Sequence, residues 1–186
     1  MANTPYTLFS TQAAGGAIAA TTTPTSLITG TAAAAAGQIK NTIPAGWLSA
    51  PGTMINVRYG GTISSAASSQ GNLTYDVRIG ANATWSGGAI AVNASESTWP
   101  WMVEIDLVVR TAGATTAATV YGQGVWYQPT SATAWTATPL PPAAGGNGFD
   151  STVSNLFDLF VTWSAATAGN TITMQWARAV ILNPYY

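Results

Sequence analysis

The sequence contains no cysteine and no histidine. Without cysteine, disulfides, thiolate metal sites and cysteine nucleophiles are excluded. Without histidine, the chain lacks the side chain that moves protons near neutrality untuned. A Ser-His-Asp triad or a zinc centre built from this chain alone is excluded with it. Charge is scarce too: charged residues make up 6% of the chain, against about 25% in ordinary soluble domains. Five basic and six acidic residues, net −1, supply no basic stripe to neutralise a nucleic-acid backbone, so nucleic acid is not an expected partner. No apolar run approaches the ~18 residues of a membrane span, because Glu104 and Asp106 interrupt the most apolar stretch. The start, Met1-Ala2-Asn3-Thr4-Pro5-Tyr6, has neither a positive n-region nor an apolar h-region, so no signal peptide is expected and synthesis in the cytoplasm is.

What is present is apolar and aromatic. Of 186 residues, 47% are hydrophobic, with 8 Trp and 7 Tyr, enough for one sizeable core and opposite to the composition of a disordered chain. Ala, Thr, Gly and Ser stand where Lys and Glu usually do. A surface so poor in charge is expected to self-associate or to dock onto a larger assembly; a Ser/Thr/Gln-coated monomer is the alternative.

The pattern predicts an all-β protein. Residues 1–37, rich in Ala, Thr and Gly, read as an N-terminal arm, with Tyr6, Leu8 and Phe9 as its anchoring side chains. Ala32 to Ala36 lie between Gly30 and Gly37 and fall far short of the ~12 to 15 residues of an autonomous helix, so an extended or loop segment is expected. From Gln38 to Tyr186, short β-runs alternate with Gly, Pro and Asn turns, as in a sandwich or barrel. The predicted strands are Ile39 to Ile43, Met54 to Ser64, Leu73 to Ile79, Ala89 to Val92, Trp101 to Thr111, Thr119 to Tyr127, Leu156 to Ser164 and Thr171 to Leu182. Eight strands suit a jelly-roll-like antiparallel β-sandwich with an extended N-terminal arm. Gln128 to Asp150, with Pro129, Pro139, Pro141, Pro142, Gly145-Gly146 and Trp135, reads as one long loop of the kind that often carries function.

Alternation assigns the faces. Ile55, Val57 and Tyr59 share one side of their strand, as do Val103, Ile105, Leu107 and Val109 of theirs, which leaves the rare charges on the opposite sides. Glu104 and Asp106, two apart on one strand face, are the only close carboxylate pair and the only candidate for glycoside hydrolysis or a hard cation. With so few charges, cross-strand or intersubunit ion pairs among Arg58, Asp76, Arg78, Glu104, Asp106, Arg110 and Arg178 are the preferred expectation. No catalytic residue, metal or cofactor is assigned. Trp163 and Trp176 sit inside strands and are expected in core or intersubunit packing. Trp85, Trp99 and Trp135 fall at strand ends or in loops, where rings can stack on a sugar or anchor a partner, with core packing the preferred expectation for all but Trp135. Gly122-Gln123-Gly124 precedes a strand, not a helix, and reads as a place of close backbone approach rather than a nucleotide loop.

The run Lys40-Asn41-Thr42-Ile43-Pro44-Ala45-Gly46-Trp47-Leu48, then Pro51-Gly52-Thr53-Met54-Ile55-Asn56-Val57, Gly60-Gly61-Thr62-Ile63-Ser64 and Arg78-Ile79-Gly80, resembles the jelly-roll virion proteins of tailed bacteriophages. These are head decoration or head fibre proteins and related minor tail proteins. The closing Trp176-Ala177-Arg178-Ala179-Val180-Ile181-Leu182 is similar to their last strand. The resemblance, over Gln38 to Tyr186, implies a homotrimer seated on major capsid or tail subunits, a structural decoration of the virion rather than an enzyme. A fibre-tip domain that binds a host-surface glycan or receptor is the alternative it leaves open.

Overall fold

The computed structural model describes residues 5–11, 14–19, 21–28, 41–131, 133–140 and 147–182. Among them every regular element is a strand: β1 (Tyr6–Thr11), β2 (Ile18–Ala19), β3 (Thr25–Ser26), β4 (Thr42–Ile43), β5 (Met54–Ser64), β6 (Asn72–Ile79), β7 (Asn82–Ala91), β8 (Trp99–Thr111), β9 (Thr119–Ser131), β10 (Ala134–Leu140), β11 (Asn155–Trp163) and β12 (Thr171–Leu182). The first sheet has the order β1-β12-β5-β8-β9-β10, with β2 also on β12; the second runs β3-β11-β6-β7, with β4 also on β11. All pairings within both sheets are antiparallel.

Without β2, β4 and the β9–β10 hairpin, the chain distributes its strands as a jelly roll does: β1, β5, β8 and β12 in one sheet, β3, β6, β7 and β11 in the other. The last strand lies between the first and the middle ones, so both ends of the chain are locked into one core. The period-2 pattern of the sequence produces this directly. Ile55, Val57 and Tyr59 of β5, Val103, Ile105 and Leu107 of β8, and Leu73, Tyr75 and Val77 of β6 are all buried between the sheets. Trp101, Trp126 and Tyr75 fill the centre, the two indoles stacked with centroids 5.3 Å apart.

The N-terminal arm is extended, and it lies along the sandwich: β1 edges the first sheet against β12 and β3 edges the second against β11. Leu8 and Phe9 are buried in the chain's own core. Their expected use as anchors on a partner is corrected on this point, because burial leaves them no surface to offer. Tyr6 is exposed, with its ring edge-on to Trp47 at 4.2 Å. The Ala32 to Ala36 segment, the start of the strand expected at Ile39, and Pro141, Pro142 and Gly145-Gly146 lie outside the described residues.

Two strands differ from expectation. The stretch read as one loop from Gln128 to Asp150 contains the end of β9 and all of β10. β10 is an edge strand with little burial until Leu140, so it needs no apolar alternation and tolerates Pro139. β7 begins at Asn82, seven residues before the expected start, and continues through Gly87-Gly88 with register shifts against β6.

Candidate functional site

The outer face of the first sheet, turned away from the core, carries a large hollow lined wholly by described residues. β12 departs from regular pairing with β5 between Met174 and Trp176. Ile172 and Met174 before this bulge are buried, and so are Ala177, Ala179 and Ile181 after it, so the inward parity changes across Gln175-Trp176. The extra residue leaves Gln175 exposed and Trp176 half-buried on the outer face, as bulges do where a side chain is re-aimed. Gly60, opposite Trp176, makes room for the ring: a Cβ there would sit 2.5 Å from the indole. A Cβ on Gly61 would overlap the Thr173 carbonyl oxygen, so the glycine pair also lets β5 and β12 approach at the bulge.

From Trp176 the outer row continues over Gly60 to Met102 of β8 and Tyr127 of β9, which are register partners in turn. The row beside it runs from Thr62 to Pro100, and Trp135 of β10 faces Pro129 of β9. Together Trp176, Gln175, Gly61, Pro100, Trp101, Met102, Tyr127 and Trp135 line a groove of about 520 Å³. A hollow of about 170 Å³ between Trp99, Pro129, Ser131 and Trp135 adjoins it. Trp135 is 55% exposed, the most exposed of the large hydrophobic side chains among the described residues. No charged residue lines either hollow.

The groove is held from beneath and from one end. Trp101 Nε1 donates to the Thr62 carbonyl at 3.1 Å under the floor. The Asn93 amide donates to the Pro129 carbonyl at 3.0 Å, tying the β7–β8 loop to the strand that faces Trp135. In that loop Glu96 is buried; its backbone N–H donates to Ser65 Oγ at 3.0 Å, while neither carboxylate oxygen has a hydrogen bond among the described residues. Burial pushes the Glu96 carboxyl up to about 7, an effect the neighbouring Asn93 side chain partly offsets.

The charges lie farther along the same face. Arg58 Nη2 meets Glu104 Oε1 at 3.2 Å across β5 and β8, the cross-strand ion pair expected of these two. Asp106 instead accepts from the Asn56 amide at 2.6 Å. Arg110 lies over the Tyr121 ring at 5.0 Å. Arg178 has Arg58, a like charge, as its register neighbour. On the second sheet Arg78 sits over Phe160 at 3.9 Å, and Phe160 rather than Arg78 is the register partner of Asp76. Within the chain, therefore, Arg78 and Arg110 use ring faces and Asp106 an amide rather than cross-strand ion pairs; the register neighbour of Arg78 is Asp158, which accepts from Ser26. Glu104 and Asp106 line a shallow trough of about 380 Å³ with Gln123, Val125 and Pro139, and both already hold partners on β5.

Of the three tryptophans expected at strand ends or in loops, Trp135 is exposed, Trp99 is partly buried at the groove's end, and Trp85 is buried. Trp85 thus takes the core place preferred for it: β7 starts earlier than expected and turns this ring inward, into the space left by Gly122 of β9. Gly122 thus admits a side chain, while Gly124 brings β9 against the Glu104 carbonyl. Sequence reasoning missed Met102 and Tyr127 as site residues and expected Trp176 in core or intersubunit packing. The signal available for Trp176 was the shift of apolar parity from Ile172 and Met174 to Ala177, Ala179 and Ile181.

No family model matches the chain, and no curated protein matches it. Among solved structures, the fold is similar to the CBM2 module of the evolved Dit of Lactobacillus casei BL23 phage J-1, at 10% sequence identity and a TM-score of 0.41, with all of both chains covered.

Proposed function

We propose that this chain is a non-enzymatic carbohydrate-binding module of a tailed-phage virion. The observation that carries the carbohydrate reading is the uncharged groove on the outer face of the first sheet, with indole rings at its two ends. Sugar rings present apolar C–H faces and a hydroxyl rim. Trp135, Trp176 and Tyr127 offer flat apolar surfaces for the former, and Gln175 and the Tyr127 hydroxyl offer neutral hydrogen-bonding groups for the latter. The absence of histidine and cysteine and the local pairing of Glu104 and Asp106 support binding without turnover. The virion setting rests on the resemblance carried by residues 38–186. A glycan-array screen tests the reading: reproducible saccharide binding that Trp135→Ala abolishes supports it, and no binding across the array removes it.

A second reading, a homotrimer that decorates the head and reinforces its subunits, is favoured by the scarcity of surface charge. The mass of the purified chain in solution tests the trimer.

A further inference from the structure

We infer that the groove takes an internal stretch of an uncharged, extended polysaccharide laid across the strands, an inference that rests on the carbohydrate reading above. Three features of the groove carry it.

The first is direction. The indoles of Trp176 and Trp135 stand on β12 and β10, with β5, β8 and β9 between them. At about 4.8 Å per strand, four steps separate the two by roughly 19 Å, a span for several linked sugars rather than one. The groove therefore crosses the strands, and each indole has its own section of ligand to stack on.

The second is relief. Gly60 and Gly61 leave the floor beside Trp176 without side chains, and the bulge at Gln175 brings the indole down onto that floor. The end at β10 is a sheet edge among the described residues, which leaves room for a chain to continue past Trp135. This favours recognition along a chain over capture of a terminus.

The third is charge. None of the lining residues is ionic; Arg58 and Arg178, register partners one row farther along the face, stand outside the lining, and Arg58 is paired with Glu104. A uronate or phosphate placed between the lining side chains loses water without gaining a counter-charge from them. Neutral polymers of hexoses are thus preferred to anionic ones.

The test is calorimetric titration of the full chain with a ladder of neutral gluco- and galacto-oligosaccharides from one to six units, beside uronate-containing hexamers. Trp135→Ala and Tyr121→Ala are titrated in parallel, the latter replacing an exposed ring at the far end of the same face. Affinity for one neutral series is expected to rise at least about tenfold from disaccharide to hexasaccharide, and Trp135→Ala to remove about tenfold while Tyr121→Ala changes nothing. A monosaccharide bound as tightly as the hexamer, or a uronate hexamer bound more tightly than its neutral counterpart, overturns the inference and leaves the carbohydrate reading standing. No binding by any saccharide overturns both. Trp135 lies on an edge strand and is 55% exposed, so its replacement is expected to fold; an unchanged melting temperature verifies that the loss is local.

Discussion

The outer face of the first sheet divides into two halves that treat their side chains differently. Toward Met54 and Arg110, the polar groups satisfy one another: Arg58 with Glu104, Asn56 with Asp106, Arg110 over Tyr121. Toward Trp176 and Trp135, the face is uncharged and aromatic, and its rings border open space. The first half holds most of its own partners, with Arg178 set beside the like charge of Arg58. The second leaves its rings uncovered, and under the proposed carbohydrate reading it is the binding surface.

The largest expected effect comes from breaking the aromatic half at its floor. Gly61→Ala forces a methyl group into the Thr173 carbonyl, and overpacking of this kind destabilises by about 1–3 kcal/mol. Urea denaturation checks it; an unchanged midpoint means that the bulge does not depend on the glycine. Gly60→Val is expected to displace the Trp176 indole and to appear as a change in tryptophan fluorescence as well as a loss of saccharide affinity.

A buried acid provides the next comparison, since Glu96 is hidden near the aromatic end while Glu104 is paired at the surface. The Glu96 carboxyl is raised from 4.5 to about 7, so between these values the folded chain holds a proton that the unfolded chain has released. Its stabilising contribution is full below pH 4.5 and is lost as pH rises through 7. Melting temperature is therefore expected to fall across that window, and Glu96→Gln to flatten the fall. A variant whose pH profile matches the wild type contradicts the assignment.

The smallest effects are expected in the charged half. Arg58 and Glu104 are 47% and 29% exposed in their side chains, and ion pairs this accessible contribute about 0–1 kcal/mol. Glu104→Gln is thus expected to shift stability by no more than that, with the difference shrinking in high salt, and to leave saccharide binding intact. Loss of binding in Glu104→Gln blurs the division between the halves.

Much of the fold was legible because burial on one side imposes period 2. β5 and β12 have the predicted bounds, and the inward residues of β5, β6 and β8 follow from alternation alone. β10 was not legible, because an exposed edge strand has no buried side to impose a pattern, and its Thr-Ala-Thr-Pro run resembles a loop. The site was half visible. Trp135 stood out as an exposed ring, but Trp176 needed the bulge, and Met102 and Tyr127 became neighbours only through the register of β8 on β9. Leu8 and Phe9 show the same limit from the other side: a short apolar pair at the start of a chain does not reveal whether its partner is another protein or the chain's own last strand.

The central claim is tested most directly by electrophoresis of the native chain and Trp135→Ala through gels that contain a neutral polysaccharide. The groove reading predicts that at least one such polymer retards the wild type and that Trp135→Ala runs freely. Equal retardation of both proteins contradicts it.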